Sequence, residues 1–166
     1  MRMSNSVQWL RRASVIASTA AILSLVSLLA PASADEVKAA HVHGSGVWFD
    51  QAAGSRKAVQ VNVKAKTKTL MEAWVVYLRN GAGACSVATE GTWTVTGKPK
   101  KGTTSTGLLS GPAPSNCTSP KKLKYNAIYY TSTATKGKDT VVANWKASYN
   151  GTNYKEFYKF LITIKP

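Results

Sequence analysis

Residues 141–164 read VVANWKASYNGTNYKEFYKFLITI, two alternating runs on either side of Asn150-Gly151. Val141, Ala143, Trp145, Ala147 and Tyr149 fall on one side of an extended chain, and Val142, Asn144, Lys146 and Ser148 on the other, because strand side chains alternate with a period of two. An Asn-Gly pair suits the two positive-φ positions of a type I′ turn, whose twist matches that of the strands it joins. With the turn placed there, Tyr149 faces Thr152, Ala147 faces Tyr154, Trp145 faces Glu156, Ala143 faces Tyr158 and Val141 faces Phe160. Beyond Thr152 at the turn, apolar residues then meet apolar residues at each step apart from Glu156. A slip of one residue would put the two apolar sets on opposite faces of the sheet, so the two patterns fix each other. Glu156 is expected at the rim of the core, beside a lysine or hydroxyl, rather than in catalysis.

The rest of the chain repeats the strand signal. Val59, Val61, Val63 and Ala65 alternate with Gln60, Asn62, Lys64 and Lys66; residues 71–78 are apolar and aromatic, with Trp74 and Tyr77; residues 92–96 are rich in β-branched side chains; residues 123–131 resume the pattern. A further strand is expected over 40–48. Helical periodicity is nearly absent. Residues 98–120, made largely of Gly, Ser, Thr, Pro and Lys around Leu108-Leu109, read as a long loop. Seven short strands predict an all-β fold, a two-sheet antiparallel sandwich in a single domain over 35–166.

Four segments carry a resemblance: Gly91-Thr-Trp-Thr-Val95, Ala127-Ile-Tyr-Tyr-Thr131, Gly137-Lys-Asp-Thr-Val141 and Phe160-Leu-Ile-Thr-Ile164. Over about residues 88–164 they resemble bacterial Ig-like and cadherin-like domains of secreted proteins, with Ser132 where those modules carry proline and Val141 where they carry an aromatic residue. The resemblance implies an Ig-like sandwich and gives Asp139 the task of bracing a turn. It does not bring a calcium site, which would need clustered acids.

Residues 1–34 read as a secretory signal peptide: Arg2, Arg11 and Arg12 precede an apolar run over 15–30, and Ala32-Ser-Ala34 forms an Ala-x-Ala cleavage site before Asp35. The apolar run is shorter than the ~20 residues that span a bilayer, so no transmembrane segment is expected in the mature protein. The expected location is periplasmic or extracellular. In an oxidising compartment Cys85 and Cys117, the two cysteines of the chain, are expected to form a disulfide.

The chain carries 22 basic and seven acidic residues, a formal charge of +15. Past residue 34 there are nineteen basic residues against seven acids, a formal +12, and only Arg56 and Arg79 among them are arginines. Lysine is a point charge without arginine's fork of donors, so the surface reads as a diffuse attractor of polyanions rather than a reader of nucleic-acid sequence. One outward face of the last hairpin collects Lys146, Lys155, Phe157, Lys159, Leu161 and Lys165. That face is a candidate anion-binding surface unless the 98–120 segment covers it. The expected partners are an anionic surface polymer or another exported protein, with no specific nucleic acid.

The leading expectation is thus an exported, non-catalytic binding module. The acids show no paired spacing and no Gly-x-Ser-x-Gly elbow is present, so an enzyme would need a site assembled only in the fold. No motif calls for a cofactor. His41-Val-His43 is the one metal-like spacing, since residues i and i+2 of a strand share a side. A copper or zinc ion held there, with Asp35, Glu36 or the new amino terminus completing the site, is the alternative function.

Overall fold

The computed structural model describes residues 35–44, 46–49 and 57–166; the expected signal peptide, 1–34, lies outside them. Residues 35–166 belong to one compact unit. Ten strands run through the described residues: β1 (Glu36–His43), β2 (Gly46–Phe49), β3 (Lys57–Lys64), β4 (Lys68–Arg79), β5 (Cys85–Thr89), β6 (Thr92–Gly97), β7 (Gly102–Pro112), β8 (Lys122–Ser132), β9 (Gly137–Tyr149) and β10 (Thr152–Lys165). One sheet runs β1-β4-β8-β7, with β5 pairing the end of β4 beyond β8; the other runs β2-β3-β10-β9-β6. The fold is an all-β, two-sheet sandwich. No helix among the described residues is long and apolar enough to cross a membrane.

The β9–β10 hairpin has the expected register, from Tyr149 opposite Thr152 to Val141 opposite Phe160. Asn150 and Gly151 have φ of 47° and 78°, the signs a type I′ turn requires.

Three expectations need correction. The sandwich is not purely antiparallel, because β3 runs parallel to β10 from Lys57 opposite Tyr158 to Lys64 opposite Lys165. Parallel neighbours need a long crossover, and here strands β4 to β9 intervene between β3 and β10. The strand expected over 40–48 is two strands in different sheets, with the chain crossing at Gly44. A Cβ on Gly44 would lie 1.8 Å from the Leu70 carbonyl oxygen, so only glycine lets the backbone pass there. The loop expected over 98–120 contains β7, paired with β8 from Gly102 opposite Ser132 to Pro112 opposite Lys122. As an edge strand with mostly exposed side chains, it carries little of the apolar alternation that marks a strand in sequence.

The core between the sheets gathers Val59, Val61, Val63, Trp74, Val76, Trp93, Ile128, Tyr130, Val141, Trp145, Tyr158, Phe160 and Ile162, all buried. Trp145 and Tyr158 are fully buried, and the indole Nε1 of Trp74 donates to the Tyr158 hydroxyl at 2.9 Å. A second apolar cluster lies on the other side of the first sheet, where Ala73, Val75, Tyr77, Leu123, Tyr125 and Ala127 pack with Cys85. The Cys85–Cys117 disulfide clips the 113–121 segment beside that cluster, where the Cys85 N–H also donates to the Ser119 carbonyl and the Thr118 N–H to that of Gly83. β4 is therefore buried on both faces, which explains its unbroken run of buried residues from Met71 to Tyr77.

Candidate metal centre

β1 pairs antiparallel with β4, setting His41 opposite Trp74 and His43 opposite Glu72. Residues directly opposite across a ladder project to the same side, and that side is the one from which Trp74 enters the core. The pairing therefore carries the two histidines and Glu72 to one place at the edge of the first sheet. Next to it, the Gly44 N–H donates to the Met71 carbonyl at 3.1 Å, which holds the chain close to β4 as it leaves His43.

Glu72 is a fully buried carboxylate in the otherwise apolar run from Leu70 to Leu78 of β4. Nδ1 of His41 lies 3.2 Å from its Oε1, and Nδ1 of His43 lies 2.9 Å from its Oε2. The imidazoles themselves stay accessible, at 37% and 40% side-chain exposure against 0% for Glu72. Their rings meet edge to face at 4.2 Å between centroids, and that of His41 stacks on Trp74 at 4.5 Å with planes 16° apart. Trp74 in turn stacks on Trp145 at 5.4 Å. A chain of rings anchored in the core thus sets the orientation of His41.

Both Nδ1 atoms converge on one carboxylate, each within hydrogen-bond distance of its own oxygen. The same spacing suits a shared ion. Two ligands at 2.0–2.1 Å from one metal stand about 2.9 Å apart at a right angle and about 3.3 Å apart at a tetrahedral angle. The two nitrogen–oxygen distances fall in that interval, and one ligand atom from each residue lies within 4.8 Å of the others. Two imidazoles and a carboxylate suit zinc(II) and copper(II), and the accessible ring faces leave room for a fourth ligand from solvent.

Sequence reasoning found His41 and His43 and missed Glu72, whose one signal was a carboxylate inside the apolar run LMEAWVVYL over 70–78. Glu36 does not complete the site. It pairs with Arg79 across the far end of β1, and its Oε1 takes the Lys38 ammonium at 2.8 Å.

The lysine-bearing face is the outer face of the second sheet. Lys146 stands opposite Lys155, Asn144 opposite Phe157 and Val142 opposite Lys159. Phe157 and Leu161 keep 43% and 36% of their surface exposed, so the 98–120 segment does not cover them; its strand β7 belongs to the other sheet. Lys165 lies at the far end of β10, opposite Lys64 of β3. Glu156, opposite Trp145, is half-buried. Asp139 braces the turn before β7: its Oδ1 accepts from the Lys100 and Thr140 N–H groups, and its Oδ2 from the Lys101 N–H and the Tyr130 hydroxyl, at 2.7–3.0 Å. Burial alone would raise the Asp139 pKa, but these donors outweigh it and hold the carboxyl below its ordinary value. Burial, then the bond to Asp139, pushes the Tyr130 phenol up. The clip at Cys85–Cys117 is consistent with an oxidising compartment. Comparison with protein-family models, curated proteins and solved structures yields no match to this chain.

Proposed function

We propose that this chain is an exported, non-catalytic β-sandwich that binds one divalent transition-metal ion, copper(II) or zinc(II), through His41, His43 and Glu72. The observation that carries the reading is the convergence of two accessible imidazole nitrogens on one fully buried carboxylate. Two imidazole nitrogens and a carboxylate oxygen are ligands that zinc(II) and copper(II) take, and the three side chains already stand at the spacing one ion needs. The ion replaces the hydrogen bonds between the two Nδ1 atoms and Glu72, each neutral imidazole keeping its one proton on Nε2, and ties edge strand β1 to β4. The Irving–Williams order places copper(II) above zinc(II) at such a nitrogen–oxygen site.

The test is calorimetric titration of the disulfide-bonded protein with copper(II) and with zinc(II), read in parallel by tryptophan fluorescence. One ion per chain is expected, tighter for copper(II), with partial quenching because Trp74 stacks on the ligand His41. Glu72→Gln should weaken binding by about 10–100-fold, and joint replacement of His41 and His43 by alanine should abolish it. If the trio is only a hydrogen-bonded brace, titration will show no saturable site, or one that survives in the double variant. Either result overturns the reading.

A further inference from the structure

Away from the Lys146–Lys155 row, at the other end of β9, four lysines gather around a depression. The Lys100 and Lys101 N–H groups donate to Asp139, and this bond folds the β6–β7 connection against β9. The result is a depression of about 440 Å³ lined by Lys98, Lys100, Lys101, Lys138, Thr140 and Val142. A second depression of about 300 Å³ adjoins it, shares Lys138, Asp139 and Thr140, and continues over Leu161 and Thr163 of β10 to Gln60 of β3. Together they form a groove that runs from Gly97 at the end of β6 across β9 and β10 to β3, three strand spacings. With strands spaced about 4.8 Å apart, its length is roughly 15 Å, enough for several units of a linear polymer.

Four lysines around one depression repel each other, and the one acid in the lining, Asp139, already spends its oxygens on three backbone N–H groups and a tyrosine. Its single negative charge offsets only one of the four lysines, which leaves a net positive field for a ligand. We infer that this groove binds a linear acidic polysaccharide, a chain of sugars bearing carboxylate or sulfate groups. Lysine ammonium groups meet such charges without demanding the planar geometry that arginine requires. Thr140, Thr163 and Gln60 supply hydrogen-bonding groups for hydroxyls, and Val142 and Leu161 an apolar floor for the sugar ring faces. The lining holds no aromatic ring on which nucleic-acid bases could stack, and a planar lipid surface does not follow a groove. Lys159, opposite Val142, borders the same path. This inference is independent of the metal site.

The experiment measures binding of polygalacturonate, neutral dextran, polyphosphate and single-stranded DNA to the full disulfide-bonded protein, at low and moderate salt. Polygalacturonate is expected to bind, dextran not to bind, and affinity to fall as salt rises. Joint Lys98→Gln, Lys100→Gln, Lys101→Gln and Lys138→Gln should weaken polygalacturonate binding by about tenfold or more. A control with the same charge loss away from the second sheet, Lys68→Gln, Lys121→Gln, Lys122→Gln and Lys124→Gln, should change it by less than about threefold. The Asp139 brace uses backbone N–H groups, so the groove variant should keep its unfolding curve. Equal weakening in the two variants would mean that net charge alone drives binding and would overturn the inference. Polyphosphate or DNA binding more tightly than polygalacturonate would overturn it too.

Discussion

Replacing Asp139 by asparagine tests the brace at the β6–β7 turn and its dependence on pH together. The carboxylate accepts four hydrogen bonds, two at each oxygen. An asparagine side chain keeps one acceptor oxygen and presents an NH₂ group to one pair of donors. The Tyr130 hydroxyl can turn to accept from that group, whereas the Lys101 N–H cannot. One charge-assisted bond is thus lost outright and two others lose their charge. Such bonds contribute about 1.5–3 kcal/mol each, but the Lys100 and Lys101 N–H groups lie at an exposed turn where water replaces part of the loss. The expected net cost is about 2 kcal/mol, or roughly 6–8 °C in Tm for a unit of this size. The pH dependence follows from the lowered pKa of Asp139. A carboxyl whose folded pKa lies below its unfolded one stabilises the fold above the unfolded value, near 3.9, and loses that contribution as pH falls through the folded value. Urea unfolding of both proteins should therefore show the full difference at pH 7 and a shrinking one below about pH 4. A difference of equal size at pH 7 and pH 3 would refute the electrostatic account. No difference at pH 7 would refute the brace.

Three further outcomes are expected. Replacing Cys85 and Cys117 together by alanine opens a link with a sequence separation of 32 and should cost about 3.7 kcal/mol on the chain-entropy model, read as a lower urea midpoint at neutral pH. Gly91 and Gly151 both have positive φ, 67° and 78°, but a Cβ on Gly151 meets nothing within 4 Å, whereas one on Gly91 lies 2.6 Å from the Trp145 ring and from the Lys146 carbonyl. Gly151→Ala should thus cost about 1 kcal/mol and Gly91→Ala about 3 kcal/mol or more, with a changed near-ultraviolet dichroism from Trp145 in the second alone. Tyr125→Phe removes a hydroxyl that donates to the Pro112 carbonyl at 2.6 Å and should cost about 1 kcal/mol in the same urea assay.

The β9–β10 hairpin was legible because its register depends only on neighbours in sequence: two alternating strands and the turn between them. β3 was legible as a strand for the same reason, but its parallel partner was not, since β10 lies about a hundred residues along the chain. β7 was hidden because an edge strand needs few apolar residues; Thr103, Thr104 and Thr106, β-branched and suited to strands, were its available signal. The break between β1 and β2 was marked by Gly44, a glycine inside an apparent strand, where a close backbone approach is a standard cause. The candidate centre was half legible. The spacing of His41 and His43 put them on one side of a strand, but Glu72 joins them only through the β1–β4 register, which no local pattern encodes.

The disulfide decides more than stability. Each sheet of a sandwich has one face toward the shared core and one outward face, so two outer faces compete for any partner. The outer face of the first sheet is apolar, with Ala73, Val75, Tyr77, Tyr125 and Ala127 buried on it, and the 113–121 segment is held beside it by Cys117. Further bonds hold the clip: the Arg79 Nε donates to the Asn116 carbonyl and the Tyr77 hydroxyl to the Asn116 side-chain oxygen. That face is occupied from within the chain. The outer face of the second sheet carries Lys138, Lys146, Lys155 and Lys159, with Thr140 and Asn144 between them, and it is the face the chain leaves open. One covalent link therefore hides the apolar side and leaves the basic one available. Opening it would loosen the cover over an apolar sheet face on a positively charged protein, so reduction should produce self-association that persists at high salt before it unfolds the sandwich.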